Sequence, residues 1–257
     1  MPVNYIDFKQ AKDQEDLRMV VVGGLPSPWG EAAKGILHIK KIPWAGVYHN
    51  PHDKEMANWT GSNSAPVAMY DDETPCSGWA DILLLAERLA PEPALLPKAP
   101  AERALALGLC HEICGEMGLG WMRRLDMVHK GLCGEKDGFP KVIAAYLASK
   151  YDYKEKQTQE HGPRIIGLLN MLAEHLHTQR DAGKHFYIGS SLSAVDIYSA
   201  TFMTFFRPLP AEQCPMIETI RPVFESMDES ISMALDPILI EHRDFIYSEY
   251  LELPLSL

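Results

Sequence analysis

The stretch RMVVVGGLPSPWGEAAKGILHI, residues 18–39, decides the architecture. Arg18 to Val22 is a short β-branched run that closes on Gly23-Gly24, the pattern of a buried strand. Leu25-Pro26-Ser27-Pro28 then forbids regular structure for a few residues. In the following segment Ala32, Ile36 and Ile39 recur at helical spacing, and Glu31 suits the positive end of a helix dipole. The reading is strand, loop, helix, with Ser27 and Pro28 at the helix start.

Downstream, Trp44–Tyr48 reads as a second strand and residues 50–64 as mostly irregular, with one helical turn at most. Pro66–Tyr70 reads as a third strand and Asp71-Asp72-Glu73 as a hairpin turn leading to a weak fourth strand near Thr74. Residues 81–89 form a helix with Ile82, Leu85, Ala86 and Leu89 on one face. Four prolines in PEPALLPKAP, residues 91–100, stiffen the chain and stop that helix. The domain boundary is placed there, giving an α/β domain over 1–92 and an all-helical domain over 101–257. In the second part Ile165, Leu169, Leu172 and Leu176 make a buried stripe, and Val195, Tyr198, Phe202 and Phe205 make another. The first 17 residues read as an extension that Ile6 and Phe8 can turn into a strand or a surface strap.

Composition narrows the function classes. The 257 residues carry 24 Lys and Arg against 35 Asp and Glu, a formal net charge of −11, which disfavours binding to a phosphate backbone. No stretch approaches the roughly 20 apolar residues of a membrane helix, and the polar N-terminus has no signal core. The cytoplasm is the expected location. Five cysteines, an odd and sparse set, read as reduced thiols rather than a disulfide framework. Cys110, Cys114, His129 and Cys133 have spacings that zinc can use. Leu105, Leu109, Ile113 and Met117, however, mark an ordinary helix with packed thiols, so no metal is expected.

Three short constellations remain. A helix start leaves backbone N–H groups free and holds anions, so Ser27-Pro-Trp-Gly-Glu31 suits a thiolate; equally, Ser27 can serve as a plain helix cap. Asn63-Ser-Ala-Pro66-Val67 allows a cis Ala65–Pro66 bond before a strand. Ser193-Ala-Val-Asp196 has the spacing of a capping box.

Taken in order, Ser27-Pro-Trp-Gly-Glu31, Lys41-Ile-Pro-Trp44, Ala65-Pro66-Val67 and Ser193-Ala-Val-Asp196 resemble the cytosolic glutathione transferase superfamily over roughly residues 18–235. The resemblance implies a thioredoxin-like N-terminal domain followed by an all-α domain, with glutathione as co-substrate and Ser27 as the catalytic residue stabilising its thiolate. It implies that Ala65, beside Pro66, pairs with the cysteinyl backbone, and that Asp81 or Ser77 meets the γ-glutamyl end. The serine that usually follows the acidic residue is Ile82 here. Lys41, or Lys40, is assigned to the glycine carboxylate. Trp29, His111 and Trp121, with Met117, would line the pocket for a small apolar electrophile. The resemblance also implies a homodimer, with Ala86 and Leu89 as its apolar surface. A non-catalytic binding or scaffold protein is the rival reading.

Overall fold

The computed structural model describes residues 3–257. Its first part runs β1 (Asn4–Tyr5), α1 (Phe8–Asp13), β2 (Leu17–Val21), α2 (Pro28–Ile39), β3 (Ala45–Tyr48), α3 (Lys54–Thr60), β4 (Val67–Tyr70) and α4 (Trp79–Leu89). The sheet order is β1-β3-β2-β4, with β1 and β2 parallel to β3 and β4 antiparallel to β2. Alternation along β2 separates two cores. Leu17, Met19 and Val21 join the large core under α2 and α4. Val20 joins Val47, Val67 and Met69, where Ala11 of α1 and Met56 of α3 cover the other face.

Two sequence-based expectations are corrected in this part, and one is narrowed. Of the two readings of the N-terminal extension, the strand holds: it supplies the edge strand β1, and Phe8 opens the helix α1, whose Asp7 cap accepts from the Gln10 N–H. Residues 54–60 form a two-turn helix because Asp53 caps it twice, accepting from the N–H groups of Glu55 and Met56, and because Met56 gives it a buried anchor. The fourth strand near Thr74 shrinks to one bridge between Ala68 and Cys76; Pro75 has no N–H to continue a ladder.

The rest is helical: α5 (Pro100–Cys114), α6 (Leu119–Cys133), α7 (Lys141–Lys150), α8 (Thr158–Asp181), α9 (Ala194–Met203), α10 (Arg221–Glu225), α11 (Glu229–Ala234) and α12 (Pro237–Tyr250). The apolar helix α9 is buried along its whole length and packs against α2, α5 and α12. It starts on the capping box read from the sequence. Asp196 is fully buried and accepts from the Ser193 N–H (2.8 Å), the Ser193 hydroxyl (2.7 Å) and the Tyr187 N–H (2.9 Å).

The proline-rich connection between α4 and α5 is held from behind. Lys40, at the end of α2, has its ammonium fully buried. It donates to the carbonyls of Ala90 (2.7 Å) and Pro93 (2.9 Å) and pairs with Glu87 (2.6 Å). A charge out of water needs this many partners. No described helix is long and apolar enough to cross a membrane.

Candidate functional site

The site follows from strand direction. β2 and β3 point the same way, so Val22 and His49 leave the sheet at one edge, where the His49 N–H bonds the Val21 carbonyl at 2.8 Å. β4 is antiparallel and pairs Val20 with Val67, which brings Ala65 and Pro66 to that same edge. The Ala68–Cys76 bridge returns the chain there once more, so Ser77 and the start of α4 follow. Ser27, Ala65, Pro66, Ser77 and Asp81 therefore share one edge of the sheet. Lys41 does not share it. It sits after α2, before the N-terminal end of β3, a helix of 12 residues away from Ser27; at ~1.5 Å per residue that is about 18 Å. Lys40 is spent on the connection described above. The Ala65–Pro66 bond is cis.

Ser27 is the N-cap of α2 by position, yet its side chain makes no capping hydrogen bond. Its N–H reaches the Leu25 carbonyl (2.9 Å), and its own carbonyl receives the Glu31 N–H (2.8 Å). Pro28, without an N–H, takes the first helical position, where its fixed φ suits the helix and no donor is lost. The half-buried hydroxyl is left over, beside the positive end of a 12-residue helix. The loop before it is tight: a Cβ on Gly23 would sit 2.7 Å from the Tyr48 ring, and Gly24 adopts φ +75 against Ile217.

Above this edge stand the helices. Trp29 donates its indole N–H to the Cys114 carbonyl (2.9 Å) and lies against Phe202 of α9, with ring centroids 4.7 Å apart. The Arg124 guanidinium is 4.0 Å from the Trp29 ring centroid and 4.6 Å from that of Tyr151, so it is sandwiched between the two rings. Tyr151 follows α7 and meets Trp121 edge-on at 5.2 Å. Burial pushes the Tyr151 phenol up, but the nearby Arg124 and Lys150 charges and the Ser64 side chain outweigh it and hold the group below the usual tyrosine range. Burial also lowers His49, with Lys150 adding to the effect.

Trp121, Met117, Met122, Leu125, Tyr151 and His161 line a cavity of about 190 Å³, rimmed by acidic groups that include Glu116 and Glu160. His161 is 3% exposed, and its Nδ1 has no hydrogen-bond partner among the described residues. Burial holds this imidazole below its usual range, that is, neutral. His111 is apart from this group: it is exposed on α5 and faces Trp79 at the start of α4, with ring centroids at 6.4 Å. The three pocket residues named from the sequence are thus divided, with Trp29 and Trp121 bracketing Arg124 and Tyr151, and His111 beside Trp79 at the start of α4.

Ile82 is buried in the core at 3% exposure, so the position after Asp81 offers no side chain to a ligand. Asp81 and Ser77 are exposed, and the Asp81 carboxylate folds back over Gly78, where a Cβ would lie 2.6 Å from it. Cys110 and Cys114 are buried in α5, and burial raises both thiols. His129 bonds the Tyr153 hydroxyl at 2.7 Å with Cys133 beside it. Among the described residues no three His, Cys, Asp or Glu side chains gather as a metal site would need.

Sequence reasoning missed Arg124, Lys150, Tyr151, Ser64, His49 and His161. Arg124 had a signal, since it stands three residues after Trp121 on one helix face. Tyr151 and Lys150 had none, because only the packing of α7 brings them to the sheet edge.

This two-part arrangement, a small mixed sheet with its ligand edge roofed by helices, defines a glutathione S-transferase fold, and solved structures agree. A glutathione S-transferase from Methylobacterium radiotolerans, in complex with glutathione sulfonate, is similar with TM-score 0.59 and 17% identity, over 91% of either chain. A glutathione transferase family member from Pseudomonas fluorescens, with two glutathione bound, gives 0.63 and 14% over 94% of this chain and 93% of that one. One from Methylobacillus flagellatus, with GSH bound, gives 0.61 and 11% over 91% and 96%. No family model matches the chain, and no curated protein matches it in sequence.

Proposed function

We propose that the protein is a glutathione-dependent transferase acting on a small, largely apolar electrophile, with Ser27 stabilising the glutathione thiolate. The observation that carries this reading is the uncommitted Ser27 hydroxyl at the start of α2, on the sheet edge that also holds Ala65 and Pro66. Solved structures of the same fold, described above with glutathione or GSH bound, support the ligand.

In this reading Ala65 pairs with the cysteinyl backbone, and Ser77 and Asp81 at the start of α4 take the γ-glutamyl end. Lys41, on the far edge, is left out. The thiolate attacks the electrophilic carbon, a C–S bond forms, and the leaving group departs with its electron pair or a proton is added. The electrophile enters beside the Trp29–Arg124–Tyr151–Trp121 stack, next to the cavity that Trp121, Tyr151 and His161 line.

Magnitudes assign the work. An ordinary thiol ionises at about pH 8.5, and bringing it to about 6.5 needs ~2.7 kcal/mol of preference for the thiolate. A helix N-terminus supplies about 0.3–1 kcal/mol. A hydrogen bond to a charged group adds about 1.5–3 kcal/mol. The helix alone falls short, so the hydroxyl contributes the larger share.

The buried Ile82 favours the second reading, a binding or scaffold protein on the same fold, because it removes one glutathione contact. Retention on immobilised glutathione, followed by a panel of halogenated and unsaturated electrophiles, separates the two. Retention with turnover supports the transferase; no retention supports the scaffold.

A further inference from the structure

Of the six buried Lys and Arg side chains among the described residues, five meet a carboxylate: Lys34 with Glu31, Lys40 with Glu87, Arg123 with Asp126, Lys130 with Asp228 and Arg243 with Asp244; the sixth, Arg18, donates instead to the carbonyls of Asp16 and Asp71. Carboxylates outnumber cations in the chain by 35 to 24. Against that surplus, two half-buried cations over the sheet edge meet no carboxylate among the described residues. Arg124 lies between Trp29 and Tyr151, and the Lys150 ammonium is 5.4 Å from the same Tyr151 ring. Asp152, next in sequence to Tyr151, is taken by Lys154 at 2.8 Å. Glu116 and Glu160 line the cavity beneath Trp121 and Tyr151, and Glu112 is held by Arg164.

We propose that Arg124 and Lys150, positioned on Tyr151, form a carboxylate-binding site that the helical part contributes to the cleft. The rings hold the guanidinium plane in place, so little side-chain freedom is lost when its fork meets a carboxylate. The ammonium of Lys150 and the Tyr151 hydroxyl are further donors. Trp29 stands two residues after Ser27, so its contact with Arg124 sets the site beside the start of α2. The carboxylate has two possible sources: the glycyl end of glutathione, which Lys41 is placed too far away to meet, or an acid group on the electrophile. The assignment of these sources rests on the transferase reading; the carboxylate site itself does not.

Calorimetric titration of the full chain with glutathione, with its glycyl ethyl ester, and with 4-nitrobenzoate alone tests this in wild type, Arg124→Gln and Lys150→Met. Lys150→Met at the end of α7 leaves the Trp29–Arg124–Tyr151 stack in place, and thermal unfolding confirms that each variant is folded. If the glycyl carboxylate is the ligand, both variants lose about 10- to 100-fold in glutathione affinity, while the ester binds all three proteins alike. If the electrophile supplies it, glutathione and ester bind equally and 4-nitrobenzoate affinity falls by a similar factor in the variants. Wild type that binds 4-nitrobenzoate through these two residues but binds no glutathione supports the site and overturns the transferase reading. Affinities unchanged in both variants, or no carboxylate bound by wild type, overturn the site.

Discussion

At the scale of single residues, Ser27 and His161 carry opposite kinds of vacancy. The Ser27 hydroxyl is free at a helix start, where an anion is stabilised. Ser27→Ala is expected to raise the bound thiol's pKa and slow conjugation by roughly one to two decades near neutral pH, with the loss shrinking at high pH where the thiol ionises unaided. A pH–rate profile of both proteins on any accepted electrophile measures this. Superimposable profiles would make Ser27 a plain helix start. His161 has a buried Nδ1 without a partner, and burial holds its pKa below the unfolded value of about 6.5. Between those two values the unfolded chain binds more protons, so the stability that His161 allows is full above about pH 6.5 and is lost as the pH falls. His161→Leu should therefore lose less stability than wild type between pH 7.5 and 5.5 in urea unfolding; parallel losses would rule out this histidine as the cause.

At the scale of elements, the capping box on α9 was legible because its two residues are three apart in sequence and the physics is local. Its second role was not legible. Asp196 also receives the Tyr187 N–H from the preceding loop and lies 3.1 Å from His242 Nε2 of α12. One carboxylate thus joins a helix start, a loop and the last long helix. Asp196→Ala strands two buried N–H donors and is expected to cost about 3–5 kcal/mol of stability by chemical denaturation. A cost near the ~1 kcal/mol of an ordinary cap would mean that the loop and α12 do not depend on it. The same contrast explains α3 and β1. The thin apolar pattern of residues 50–64 predicts one helical turn at most, whereas α3 stands on the Asp53 cap and one buried methionine. β1 has only two residues and exists because β3 offers it an edge.

For the whole molecule, the connection between α4 and α5 depends on one lysine. Lys40→Met should leave the Ala90 and Pro93 carbonyls without their donor and Glu87 with only the Leu95 N–H, and so speed proteolytic cleavage within residues 91–99. Unchanged cleavage would show that the prolines alone hold the segment. A homodimer is a further proposal at this scale. Ala86 cannot serve it, being fully buried within its own chain, but Leu84 of α4 and Leu105 of α5 are 43% and 45% exposed. Light scattering of wild type is expected to give twice the chain mass, and Leu84→Glu with Leu105→Glu to halve it; a wild-type monomer at micromolar concentration rejects the dimer.

The sequence by itself determined what depends on neighbours along the chain. It set the strand–loop–helix unit with Ser27 at its joint, the α/β-then-helical order, the proline break, the capping box and the apolar stripes. These follow from propensity, periodicity and proline's missing N–H, none of which needs a distant partner. Only the tertiary structure decided which of those residues meet. Strand direction placed Ala65, Ser77 and Asp81 on Ser27's edge and sent Lys41 to the other. Helix packing brought Arg124, Lys150 and Tyr151 over that edge and turned Ile82 and Lys40 inward. Those outcomes depend on contacts between segments from about 20 to more than 100 residues apart, which local pattern does not encode.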